Sequence, residues 1–499
     1  MKRTAILALT ASSMLALAAP AYADTLNEAL AEAYRSNPTL QAARAQLRAT
    51  DENVAIEKAD GRPSLTGSAA VTEFLQQSST SIYTPDRALT AGVDLGVPLY
   101  SGGAVKNSIR AAEQRVQAGR ADLRGTESAI FSQVVAAYMD VLRGEALVGL
   151  SANQVQVLEV NLRATSDRFE IGDLTRTDVA QSQSRLALAR GDLRSAQAGL
   201  IQARETYIQL VGSAPGELEP PPPLPGLPDD PRMAVDIALD NNPDLIAARE
   251  RAQAAGYDID VAGASRLPRL SAFAGYDYQN FLGSLPGSPI DPTDPNSPLA
   301  VSSQTTNASS AGLTLSIPIF QGGRPAALQR QAQARASAAL DQVIAAERDV
   351  IAQVRASYAS YSAALAIIDS SREAVAAAEL SLEGVRAENS IGNRTVLDVL
   401  NAEQELLLSR VDLVTARRNA YVAGFSLLAA MGRAEARDLG IEGGTLYDPL
   451  ANYDRVSDRW SDWASDPEPE AAGTRTVDIP AADAEIDNTY GPIVEPGQN

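Results

Sequence analysis

Between Ala88 and Tyr100, apolar side chains fall on every second residue: Leu89, Ala91, Val93, Leu95, Val97 and Leu99. Thr90, Gly92, Asp94 and Gly96 lie between them. A period of two belongs to a β-strand with one apolar and one polar face. Segments 62–74, 269–281 and 310–320 alternate in the same way. In the last, Leu313, Leu315, Ile317 and Ile319 oppose Gly312, Thr314 and Ser316. Four strands are expected, over about 62–75, 88–100, 268–281 and 309–320.

The period changes after Ser101-Gly102-Gly103 and again after Gln321-Gly322-Gly323. Phe131, Val134, Tyr138, Val141, Val148, Val155 and Leu162 keep a spacing of three and four, and so do Ile351, Val354, Tyr358, Tyr361, Leu365, Ile368, Val375 and Leu382. That is a period of about 3.5, the seam of a coiled coil. Helices are expected over about 104–170 and 324–390, each about 100 Å long, with returning helices over about 175–211 and 395–431. Each hairpin turns on a short echo, "FEIGDLTRTDV" at 169–179 and "NSIGNRTVLDV" at 389–399. Gly172 and Gly392 suit the left-handed conformation that stops a helix. Thr175 with Asp178, and Thr395 with Asp398, stand at capping-box spacing at the start of the returning helices.

The chain says all of this twice. Asn37-Pro38-Thr39-Leu40 returns 205 residues later as Asn242-Pro243-Asp244-Leu245. From Gly92 and Gly312 onward the separation is 220 residues, held without a gap to Gly212 and Gly432. The difference is an insertion within the Pro-, Ser- and Asp-rich stretch 285–307, which reads as an exposed loop. The organisation expected is a first repeat over 24–212, a Pro-rich linker over 213–231, a second repeat over 232–433 and an acidic, partly disordered segment over 434–499.

Composition narrows the chemistry. With no Cys there is no disulfide, reactive thiol or lipid-attachment cysteine. With no His, the usual general base and the commonest metal ligand are missing. A formal charge of −20 argues against nucleic acid. No catalytic constellation is found, so neither an enzyme nor a cofactor or metal site is expected. Lys2 and Arg3, the apolar run 6–19 and Ala21-Tyr22-Ala23 read as a secretory signal peptide over 1–23. Beyond it, no run of about 18 apolar residues could form a transmembrane helix.

Alternation alone fits either a half-buried soluble sheet or a membrane barrel with apolar residues outward. The heptad seam alone fits either a plain antiparallel bundle or the wall of a hollow cylinder. If the strands lie in lipid, four cannot close a barrel, because open edges would leave backbone groups unsatisfied. Two chains would give eight strands and hardly any lumen, whereas three give twelve and a channel. The fold class expected is therefore mainly α with a membrane β-barrel, built as a trimer from two tandem repeats. A periplasmic helical scaffold with no pore is the alternative.

These residues resemble the TolC-type outer-membrane efflux proteins. The likeness is carried by the paired Asn-Pro openings, each followed by Ala-Ala-Arg, by "VPLYSGG" at 97–103 and "IPIFQGG" at 317–323, and by "IGNRTVLDVLNAEQEL" at 391–406. It covers about 25–432. It implies a homotrimer with a twelve-stranded barrel in outer-membrane lipid and a periplasmic helical tunnel with an equatorial collar. The resemblance also implies an exit duct that meets a periplasmic adaptor and an inner-membrane transporter, proton-driven or ATP-driven, and does no chemistry. Carried over by position, Arg394 would bridge to Thr177 and Asp178 of a neighbouring helix pair, and Asp398 would supply one acidic ring at the tunnel mouth. Gly172, Thr175, Gly392 and Thr395 would flank the adaptor's docking grooves. Asn401 stands where a second ring would have Asp, and Asn389 where a latch Tyr would be, so that part of the latch is missing.

Overall fold

The computed structural model describes residues 25–76, 85–285, 288–289, 293, 296, 298–300, 303–441 and 446–486. The signal peptide expected over 1–23, much of the inserted loop and the final residues 487–499 lie outside them. The first repeat comprises α1 (Leu26–Ser36), α2 (Pro38–Ala59), β1 (Ser64–Glu73), β2 (Arg87–Tyr100), α3 (Ala104–Glu170) and α4 (Arg176–Val211). The second comprises α5 (Pro231–Asn241), α6 (Pro243–Ala264), β3 (Arg269–Asn280), a two-residue ribbon of β4 (Ser288–Pro289) and β5 (Leu299–Ala300), β6 (Thr305–Ser316), α7 (Arg324–Ser390) and α8 (Val396–Ala430). A short α9 (Ala451–Val456) follows. The chain is mainly helical, with a small antiparallel sheet. Among the described residues no helix is long and apolar enough to cross a membrane.

The sheet order is β1-β2-β3-β6, every pair antiparallel. The helices continue that order, α2 against α3, α3 against α6 and α6 against α7, as one layer below the sheet. Further from the sheet, α4 and α8 replace α2 and α6 as partners of α3 and α7. The fourth strand differs from its expected span of about 309–320. It starts at Thr305, because β3 runs on to Asn280 and supplies partners that far. It ends at Ser316, opposite Arg269, the first residue of β3. Ile317, Ile319 and Phe320 project beyond the ladder, and Leu365, expected in the helical seam, is likewise exposed in the single chain.

The Asn-Pro openings join these helices end to end. Asn37 Oδ1 accepts from the N–H groups of Thr39 and Leu40, capping α2. Its Nδ2 donates 2.9 Å to the carbonyl of Leu210, in the last turn of α4. Asn242 repeats this, capping α6 through Asp244 and Leu245 and donating 3.0 Å to Ala430 at the end of α8. A primary amide is donor and acceptor at once, so one side chain satisfies orphan groups at two helix ends. Proline follows because its missing N–H is one of those orphans anyway. The close approach also fixes the next residue. Gly432 has φ 71°, and any side chain there would collide with the Asn241 carbonyl.

The main core lies midway along α3 and not at its ends. Phe131, Tyr138, Tyr207 and Phe425 are its largest fully buried side chains. The Pro-rich linker packs here through Leu218, Leu224 and Leu227. A proline-rich extended chain has no internal hydrogen bonds, so its carbonyls need outside donors. Tyrosines supply them: Tyr138 to Glu219 at 2.7 Å, Tyr421 to Pro222 at 3.1 Å and Tyr358 to Asp229 at 2.6 Å. The acidic segment after 433 is tied to the same level. Glu127 accepts from the Ala436 N–H at 2.6 Å, Arg44 stacks on Tyr34 and Tyr447, and Arg204 binds Asp483 at 2.9 Å.

Asn242→Ala should lower thermal stability by about 1–3 kcal/mol, since a cap is lost and a buried carbonyl is stranded. Asn242→Ser, which restores only the cap, should fall between, as read by the melting of paired variants. Burial raises the Glu127 carboxyl to about 7. The unfolded chain gives up this proton near the usual 4.5, so the contribution of Glu127 to stability falls as pH rises from there to about 7 and is level outside that window. Glu127→Gln should flatten that fall in melting temperature measured between the two limits.

Candidate functional site

The register assigns every strand residue to a face. Leu65, Gly67, Ala69 and Val71 of β1 lie opposite Leu95, Val93, Ala91 and Leu89 of β2. On the same face β3 contributes Ala272, Ala274, Tyr276 and Tyr278, and β6 contributes Ala311 and Leu313. This face is apolar from Leu65 and Leu95 up to Val71 and Leu89, with Leu65, Val71, Val93, Leu95 and Leu313 exposed. It turns polar at its far end and along the outer half of β6, at Glu73, Arg87, Asn280, Asn307 and Ser309. A half-buried soluble sheet would cover such a face, and a helical scaffold has no use for it. The opposite face carries Thr66, Ser68, Thr90, Asp94, Asp277, Ser310 and Thr314. Asp94 leans over Gly275, and Asp277 over Gly92, across the β2–β3 pair. Glycine there leaves room for each carboxylate on the polar surface.

At the far end of the helices the two hairpin turns are built alike. Gly172 and Gly392 take φ 83° and 82°. The N–H groups of Asp173 and Asn393 close back on the carbonyls of Arg168 and Glu388, at 2.9 Å each. Thr395 donates its N–H (2.9 Å) and hydroxyl (2.8 Å) to Asp398, whose N–H returns to the Thr395 hydroxyl at 3.2 Å. Thr175 likewise donates its N–H (2.9 Å) and hydroxyl (2.6 Å) to Asp178, whose N–H bonds the Thr175 carbonyl at 3.1 Å, and the Thr175 hydroxyl also meets that of Thr177 at 2.6 Å. Those bonds hold both carboxyls below the usual Asp range, at Asp178 through the Thr175 side chain first and at Asp398 through the Thr395 backbone first. Both stay charged at the tip.

The turns differ in the charge that crosses them. Arg168 pairs with Asp173 at 2.7 Å in the first, and Glu388 pairs with Arg394 at 2.7 Å in the second. Hydrogen bonding and attraction from Glu388 hold the Arg394 guanidinium above its ordinary range. Asn389 donates to the Arg394 carbonyl at 2.8 Å. Within one chain, then, Arg394 meets Glu388, and Thr177 and Asp178 meet Thr175; the chain does not bring the two sets together.

What joins the hairpins was not singled out in the sequence. Glu403 is 3% exposed, and its Oε1 accepts from Arg386 of α7 at 2.8 Å and from Asn161 of α3 at 3.2 Å. Arg185 of α4 donates to Asn401 of α8 at 2.8 Å, so the residue that departs from the acidic ring is engaged between hairpins. Small apolar clusters flank the seam, Leu158 with Leu186 and Leu400 on one side and Ala378 with Leu382 and Leu406 on the other. The sequence did hold a signal: Glu403 sits on the apolar stripe between Leu400 and Leu406, where a carboxylate needs partners.

The model of the family "Outer membrane efflux protein" matches residues 29–213 and 234–433. The chain is 34% identical to the outer membrane efflux protein BepC of Brucella suis over 88% of its own length and 92% of the relative's. It is 25% identical to the outer membrane protein TolC of Vibrio cholerae, covering 85% and 94% of the two chains. Two solved structures share the fold: CusC, with a TM-score of 0.70, 21% identity and coverage of 82% of this chain and 92% of that one, and VceC of Vibrio cholerae, with 0.69, 24%, 82% and 96%. This chain belongs to the outer membrane efflux protein family: it is an outer-membrane channel with a periplasmic extension, the non-enzymatic exit duct of a tripartite efflux or secretion system.

Proposed function

We propose that three copies close edge to edge into a twelve-stranded barrel, continued by a helical tunnel. The observation that carries this is the sheet itself, in which β1 and β6 each have a partner on one side only. In lipid every free backbone group on such an edge costs several kcal/mol, so each β6 takes the β1 of the next copy. The apolar face then meets lipid, and the face with Asp94 and Asp277 lines the duct. Ile317, Ile319 and Phe320, uncovered in the single chain, lie at the seam between copies.

The helices carry the duct about 100 Å from the sheet, so both turns stand at the periplasmic mouth. Three copies bring Asp398 into a ring there, with Asp178 nearby. At rest the mouth is narrowed by contacts between hairpins: Arg185–Asn401 and the Glu403 cluster within a copy, and Arg394 to Thr177 and Asp178 between copies. A periplasmic adaptor docks its own helical hairpins in the grooves beside Gly172, Thr175, Gly392 and Thr395 and spreads the mouth. An inner-membrane transporter supplies the energy, and the duct conducts passively.

Planar bilayers test the gate. Arg394→Ala with Asp178→Ala, and separately Glu403→Ala, should raise single-channel conductance while leaving the trimer intact on gel filtration, and unchanged conductance in both would sink the latch. Asp398→Asn should lower the cation preference. In a tenfold salt gradient the reversal potential should move toward zero, and a value equal to that of the parent would count against the ring.

A further inference from the structure

Both tryptophans of the chain, Trp460 and Trp463, stand together just after α9. That helix packs through Tyr453 on Val54 of α2 and on Ala112 and Val116 of α3. The next ten residues form an arch tied down at both feet. At the first, Lys58 binds Asp458 at 2.8 Å and Arg62 donates to the Arg459 carbonyl. At the second, Asp466 returns to Arg455 at 2.8 Å and Arg459 at 3.5 Å. The rings between the feet are turned outward: Trp460 is 67% exposed, with the Arg62 guanidinium 4.7 Å from its ring, and Trp463 is 96% exposed.

The height of the arch is fixed by what it grips. Ser64, two residues after Arg62, opens β1 opposite Gly96. Gly61 lies so close to Val105, at the start of α3, that a side chain there would come within 2.9 Å of it. The arch therefore sits at the strand-to-helix corner, level with the end of the apolar sheet face. Leu99 and Tyr100, at the end of the neighbouring strand β2, are exposed at the same level. An indole has an apolar body and one N–H donor, and such rings collect where hydrocarbon gives way to headgroups. Three arches turned into the lumen would obstruct the duct. Turned outward, they stand against the bilayer edge.

We propose that residues 457–466 are an interfacial membrane anchor, whose two indoles enter the headgroup region of the periplasm-facing leaflet. This rests on the closed outer-membrane duct proposed above. Lys58, Arg62, Arg455 and Arg459 offset Asp458, Asp462 and Asp466, so the hold on phospholipid rests on the two indoles and not on headgroup charge. The salt bridges at its feet transmit the hold to α2 and so fix the height of the barrel in the bilayer.

Because the chain has no other tryptophan, emission excited at the red edge of tryptophan absorption, where its 15 tyrosines do not absorb, reports on the arch alone. The full-length protein is reconstituted in phosphatidylethanolamine–phosphatidylcholine vesicles, with and without acyl-brominated phosphatidylcholine, and conductance is recorded from the same preparation. The expected result is an emission maximum to the blue of free tryptophan and about a twofold loss of intensity with brominated lipid. Replacing half of the phosphatidylethanolamine with phosphatidylglycerol should leave that loss unchanged, and a loss that changes with headgroup charge would overturn the reading that the indoles alone hold the arch. Conducting channels whose tryptophans escape bromine quenching would overturn the anchor and leave the duct standing. If they are also blue-shifted, protein and not lipid covers them. A preparation that neither conducts nor quenches would remove the duct reading, and the anchor with it.

Discussion

In the four-stranded sheet the two inner strands find hydrogen-bonding partners on both sides and the outermost two on one side only, and that imbalance governs the rest of the molecule. In water an open edge can be solvated. In hydrocarbon it cannot, so a four-stranded sheet held in lipid is stable only once its edges are joined. The helices inherit the arrangement, because α2, α3, α6 and α7 extend the sheet in its own order. A single layer of helices leaves both of its surfaces uncovered. The small residues and scattered polar groups along α7, most of them exposed, suit a wall with water on either side.

The long helices do not hold together evenly. Mid-height carries the large buried aromatics, the linker and the attachments of the C-terminal segment. Toward the tip, packing thins to two small apolar clusters and a few polar bonds. Stability is correspondingly lower there, at the level where the proposed gate opens. The capped turns are themselves rigid, since each Thr–Asp pair satisfies the first N–H groups of its returning helix and a charged carboxylate suits that helix end. In the proposed gate, movement then falls on the seam between hairpins, at Glu403 and Asn401, rather than on the turns.

Much of this architecture is written locally. Alternation from Leu89 to Leu99 defines a strand and its lipid-compatible face, because successive side chains of an extended backbone point opposite ways. Gly102-Gly103 and Gly322-Gly323 take positive φ just where the period changes, and α3 and α7 begin at the next residue. Gly172 with Thr175 and Asp178, and Gly392 with Thr395 and Asp398, spell out stop, turn and restart within a few residues. The repeat doubles each signal and so sets the strand number on which the proposed closure by several copies rests. What these patterns could not set was where the fourth strand ends, since that depends on how far β3 extends beside it.

The sequence by itself thus determined the elements, their order and the two faces of the sheet, since each rests on contacts within a turn or along a strand. Only the tertiary structure decided which groups separated by long stretches of chain complete one another. Asn37 is an ordinary N-cap until Leu210, 173 residues away, offers a carbonyl to its other atom. Glu403 reads as one acid among several until Asn161 and Arg386 converge on it. The acidic segment reads as a loose end until Arg62, Arg204 and Ser36 take hold of Arg459, Asp483 and Thr474. In each case the partner is set by the path of the helices in space, which no local period encodes.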